Sequence, residues 1–95
     1  MTKKDIFGIR YTSKESEDAI RGLLEAFNVV GVECKNNPDG ERVIEFDQPE
    51  KGFVDSILYT IYKRDWLVLN KVTNKFCCLA HKQYIALMNH LPDES

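Results

Sequence analysis

Phe53–Leu69, FVDSILYTIYKRDWLVL, is the most apolar continuous segment of the chain, and its reading decides the fold. Its first part carries Val54, Ile57, Leu58 and Ile61 at helical spacing, with Phe53 beside them and Tyr59 and Tyr62 flanking the stripe. Lys63 and Arg64 then suit the negative end of a helix dipole. Its last part, Trp66 to Leu69, has no polar interruption and reads as a strand covered on both faces. Just upstream, Asp47-Gln48-Pro49-Glu50 has the make-up of a helix start: Asp47 can cap, Pro49 is tolerated in a first turn, and Glu50 favours the positive end of the dipole. The expectation is a helix followed by a buried strand.

Upstream of that stretch, Ile6 to Tyr11 alternates as a strand, with Phe7, Ile9 and Tyr11 on one face. Thr12-x-x-Glu15 has capping-box spacing and predicts a helix from Thr12. Ala19, Ile20, Leu23, Leu24 and Phe27 form its inward stripe. Lys14, Glu17, Asp18, Arg21 and Glu25 fall outside and read as a solvated face. Val29–Lys35 and Glu41–Asp47 read as the arms of a hairpin. Between them lies Asn36-Asn37-Pro38-Asp39-Gly40, where proline presets a turn and Gly40 supplies a positive φ.

Downstream, Lys75 to Ala80 reads as a short strand and His81 to Leu91 as a helix. A helical stripe from Phe76 through Tyr84 to Leu91 offers the alternative of one helix from about Thr73, but two adjacent cysteines favour a strand. Pro92 stops the helix. The element order is β-α-β-β-α-β plus a C-terminal β-α extension. That is an α+β domain in the ferredoxin-like split βαβ arrangement, with its helices on one face of an antiparallel sheet. Residues 1–95 form one domain, with 1–4 and 92–95 expected to be flexible.

Composition narrows function more by exclusion than by assignment. The net charge is -2, so no strong field is available for a phosphate backbone. Residues 1–50 carry 7 basic and 11 acidic side chains and residues 51–95 carry 6 and 4, which separates the chain into an acidic and a basic half. No run approaches the roughly 18 apolar residues of a membrane span. No secretory leader is seen at MTKKDIFGI, and Cys34, Cys77 and Cys78 read as free, mostly buried thiols; the expected location is the cytoplasm.

Cys78-x-x-His81 has a spacing a metal could use, but no second Cys/His pair at structural-zinc spacing accompanies it, so no metal or cofactor is expected. The five glycines are scattered singly and form no phosphate loop. No base-and-orienter pair beside a nucleophile is legible, and no enzyme is expected. What remains is an aromatic and basic region, with Tyr59, Tyr62, Lys63, Arg64, Trp66, Lys71 and Lys75 as candidate partner-binding residues.

The leading expectation is a small non-catalytic module that inhibits or regulates a larger protein, in the manner of anti-defence or immunity-type proteins. Self-association through an exposed edge strand is a further expectation. The alternatives are a nucleic-acid-binding module using residues 62–82, and a small-molecule sensor with its ligand between helices and sheet.

Overall fold

The computed structural model describes residues 1–49 and 56–93. After a single 3-10 turn at Lys3–Asp5 come β1 (Ile6–Arg10), α1 (Lys14–Ala26), β2 (Glu33–Asn36), β3 (Arg42–Gln48), β4 (Ile57–Tyr62), β5 (Trp66–Asn70), β6 (Lys75–Leu79) and α2 (His81–His90). The chain is α+β, as the sequence predicts. Its strands form two three-stranded antiparallel sheets, ordered β1-β5-β6 and β2-β3-β4. The ferredoxin-like arrangement calls for one sheet and a helix between its third and fourth strands, and the strand order seen here differs.

The difference originates in the deciding stretch. Residues 57–62 are a strand, not a helix, and pair with β3 from Ile57↔Gln48 to Tyr62↔Val43. Five of the six residues in ILYTIY are β-branched or aromatic, types that suit a pleated, half-buried surface better than a helix. Ile57 and Ile61 belong to a 3.6-residue stripe and a 2-residue alternation alike, so periodicity alone does not choose between them. As a strand, Ile57, Tyr59 and Ile61 face inward with Ile44 and Phe46, while Leu58, Thr60 and Tyr62 face outward. Leu58, expected in the core, is 55% exposed. Asp47 lies within β3 and is not a helix cap. Phe53, Val54 and Glu50 lie outside the described residues.

The first helix begins one residue later than expected. Ser13, not Thr12, is its N-cap, and Ser16, not Glu15, completes the reciprocal box: Ser16 Oγ accepts from Ser13 N at 2.8 Å, and Ser13 Oγ accepts from Ser16 N at 3.4 Å. The helix ends in a Schellman arrangement. Asn28 takes φ 60°, and Val29 N donates to Leu24 O at 3.0 Å. Ile20 and Leu24 are fully buried, whereas Ala19 and Phe27 are exposed.

The core lies between the two sheets and α1. Tyr11, Ile20, Leu24, Ile44, Phe46, Ile61, Leu67, Leu69 and Phe76 form one buried cluster. β1 and β6 are both antiparallel to β5, so the end of β1 and the start of β6 lie at opposite ends of their sheet. Near its start α1 is tied to Tyr11 through Glu17. Just past its end, Phe27 meets Phe76 edge-on at 5.5 Å. The helix therefore crosses the sheet diagonally and leaves the Phe7 corner uncovered, with Phe7 43% exposed.

The opposite face of that sheet receives α2. Trp66 and Tyr84 stack with centroids 3.7 Å apart, and Trp66 Nε1 donates to His81 Nδ1 at 3.1 Å. Gly8 makes room for the helix, because a Cβ there would stand 2.7 Å from Tyr84 Cε1. Trp66 to Asn70 buries three consecutive residues, Leu67, Val68 and Leu69, as a strand covered on both faces should.

A buried amide side chain clasps the sheets together. Gln48, at the end of β3, donates from Nε2 to Phe76 O at 2.9 Å and accepts at Oε1 from Phe76 N at 2.7 Å. Its primary amide thus fills, for one residue, the place of a neighbouring strand on the β6 edge. The two ends of the described chain also meet: Lys3 N donates to Pro92 O at 3.1 Å, and Lys3 Nζ pairs with Asp93 at 2.8 Å.

Candidate functional site

The polar centre of the molecule is one that sequence pattern places on the surface. Glu17, expected outward on α1, is 2% exposed. Its carboxylate accepts from Tyr11 Oη at 2.7 Å, Arg42 Nε at 2.9 Å and Lys14 Nζ at 3.0 Å. Arg42, with Tyr11 and Lys14, holds the carboxyl down to about 2 against the opposing effect of burial. Burial, reinforced by the adjoining Glu17, pushes the Tyr11 phenol well above its ordinary range. The carboxylate is thus committed within the fold. The group ties α1, β1 and β3 together and leaves Glu17 unsuited to proton transfer near neutrality. A signal for it exists only in three dimensions, since Arg42 is 25 residues away in sequence.

The cysteines do not assemble. Cys77 and Cys78 are consecutive in a strand and so point to opposite faces. None of the three is buried as expected, Cys34 and Cys78 being half-buried and Cys77 exposed, but partial desolvation raises all three thiols, Cys78 to about 12, which suppresses the nucleophilic thiolate. His81 is occupied as the acceptor for Trp66. Among the described residues no group of three or more His, Cys, Asp or Glu could hold a metal ion.

The seven candidate partner-binding residues separate into three settings. Tyr59 faces inward and stacks on Phe46 at 5.3 Å with planes 13° apart. Tyr62, Lys63, Arg64 and Trp66 gather around the β4–β5 turn. Tyr62 is 46% exposed there, and Lys63 Nζ sits 4.9 Å from the Tyr11 ring centroid. Arg64 takes φ 75°; its N donates to Tyr11 O, and its carbonyl accepts from Arg10 Nε at 3.0 Å. Lys71 and Lys75 lie at the other end of β5, about 13 Å away along the strand. Lys75 Nζ there donates to Pro49 O at 2.7 Å.

The basic region of residues 62–82 is therefore two patches. The β4–β5 end is the richer one, because Arg10 and Lys82 join Lys63 and Arg64 there. Nothing in the sequence singles out Arg10; its pairing opposite Trp66 brings it in. Leu58 escapes a sequence reading as well, because a helix turns it inward. On the strand, Leu58 and Tyr62 stand exposed on the outer face of β4, Tyr62 beside the basic turn and Leu58 at the other end of the strand.

An open groove of about 430 Å³ runs between the α1 exit and the β3–β6 seam, lined in part by Phe27, Val29, Asp47 and Phe76. Two of its polar side chains, Gln48 and Lys75, are used by the fold itself. No helix among the described residues is long and apolar enough to cross a membrane. Comparison with protein-family models, with curated proteins and with solved structures gives no match.

Proposed function

We propose that this chain is a non-catalytic interaction module that binds a larger protein and inhibits or regulates it, as anti-defence and immunity-type proteins do. The observation that carries the reading is the outer face of β4. Leu58 at 55% and Tyr62 at 46% exposure are left uncovered at the two ends of that face, with Lys63 and Arg64 beside Tyr62 and Asp47 opposite Leu58. An aromatic anchor rimmed by charge is the make-up of a protein contact. The partner surface that fits has an apolar socket for Tyr62 and acidic groups toward Lys63 and Arg64. Affinity capture from the native cell with the wild-type chain and with Tyr62→Ala/Arg64→Glu tests this. A protein retained by the first and lost by the second is expected; equal capture by both sinks the assignment of the surface.

A second reading, binding of single-stranded nucleic acid, has its own observation. Arg10 pairs opposite Trp66, Arg64 precedes that strand and Lys82 follows His81, so basic residues lie at the end of the molecule that carries the Trp66–Tyr84–His81 stack. Binding of this kind weakens steeply with salt and with Lys82→Glu. An oligonucleotide shift that is absent at low salt removes it.

A further inference from the structure

We propose that the free edge of β1 is a self-association site that takes β1 of a second copy, antiparallel, about a two-fold axis at Gly8. The phase of the ladder comes first. Phe76 turns both its N–H and its C=O away from β5, toward Gln48. Alternation along an antiparallel sheet then fixes the rest: Leu67 and Leu69 bond Ile9 and Phe7 of β1. Tyr11 keeps the same phase, donating to Asp65 O at 2.8 Å and accepting from Arg64 N at 2.7 Å. Ile6, Gly8 and Arg10 consequently turn their peptide groups outward. The Ile6 N–H returns to Lys3 O. The Ile6 carbonyl and the peptide groups of Gly8 and Arg10 have no backbone partner among the described residues.

A row of unpaired donors and acceptors calls for an extended backbone, and this strand complements itself. With the axis at Gly8, each Gly8 exchanges hydrogen bonds with its mate, and each Arg10 N–H donates to the Ile6 carbonyl of the other copy. Phe7 then falls opposite Ile9 in the non-hydrogen-bonded position, where cross-strand side chains come closest. Phe7 shares a row with Leu69 and Phe76, which are 4% and 3% exposed, yet is itself 43% exposed. A second strand would complete that row toward the edge.

β1 has no proline and no bulge to blunt its edge, its charge is confined to Arg10 at its end, and its exposed inward-row residue is a phenylalanine. Of the three other edges, β6 gives its Phe76 peptide group to Gln48, β4 runs close to β6, and β2 is four residues long and is preceded by Gly31 at φ 70°. The β4 surface adjoins this site at Arg10, whose Nε donates to the Arg64 carbonyl, so Tyr62→Ala alone is the change that should leave self-association unchanged.

Sedimentation of the wild-type chain between about 10 µM and 1 mM should show the mean mass rising toward that of a dimer, as a short-ribbon contact of modest affinity requires. Amide exchange at Gly8 and Arg10 should slow several-fold over that range while exchange at Phe7 and Ile9, already bonded to β5, stays constant. Phe7→Lys, which changes a half-exposed side chain, should remain monomeric with an unchanged circular dichroism spectrum. A constant monomer mass overturns the proposal. So does association that leaves Gly8 and Arg10 exchange unchanged, or that survives Phe7→Lys. The exchange measurement uses the wild-type chain alone, so it decides between these outcomes even if the substitution misfolds.

Discussion

Two residues three positions apart on β4, and so on opposite faces, carry opposite expectations. Ile61 is fully buried between the sheets, and Leu58 stands in solvent. Ile61→Ala should cost about 2–5 kcal/mol in urea denaturation. Leu58→Ala should cost less than about 0.5 kcal/mol, the range of surface substitutions. A large loss at Leu58 would mean that its face of β4 is covered. Glu17 makes the pH prediction. Its folded carboxyl titrates at about 2 against an ordinary value of 4.5, so the stabilisation is fully present above about pH 4.5 and is lost as pH falls toward 2. The loss is on the order of 3 kcal/mol. Glu17→Gln should flatten that acid limb and lower stability at neutrality, since it leaves Arg42 and Lys14 without their shared anion. Thermal melts from pH 7 to pH 2 on both proteins check this.

Among the elements, β1, the β2–β3 hairpin, β5, β6 and α2 are legible in the sequence, although β2 opens at Glu33 and not at the expected Val29. Each is announced by a local signal: alternation in IFGIRY, the Asn-Pro-Asp-Gly turn, an uninterrupted apolar run, or a proline after the helix. β4 is not, because Ile57 and Ile61 satisfy both periods and the flanking Asp-Gln-Pro-Glu imitates a helix start. The candidate site is legible only in part. Tyr62, Lys63, Arg64 and Trp66 are neighbours in sequence and in space. Lys71 and Lys75 are brought to the far end of β5 by strand direction, and Arg10 is brought in by pairing, which no composition argument contains.

The Gln48 clasp belongs to this scale too. Gln48→Ala would leave the Phe76 N–H and C=O, on a residue 3% exposed, without partners. A cost of about 1–3 kcal/mol in chemical denaturation, with faster exchange of the Phe76 amide, is the expected result. A near-neutral change would show water replacing the amide at no penalty.

For the whole molecule, nine side chains, Tyr11 just past β1 and eight from α1 and from strands of both sheets, meet in one cluster, so the sheets should unfold together and no half should persist alone. The Gln48–Phe76 pair spans 28 residues and fits only after the two sheets have been positioned by other contacts. It therefore has a kinetic meaning. A contact that closes so long a loop and needs docked partners on both sides forms after the folding barrier, not before it. Gln48→Ala should accelerate unfolding and leave the refolding rate nearly unchanged in stopped-flow chevrons. A slowed refolding limb would instead place the joining of the two sheets at the barrier itself. In kinetic terms the glutamine is a latch: it sets how long the assembled core lasts and has no part in finding it.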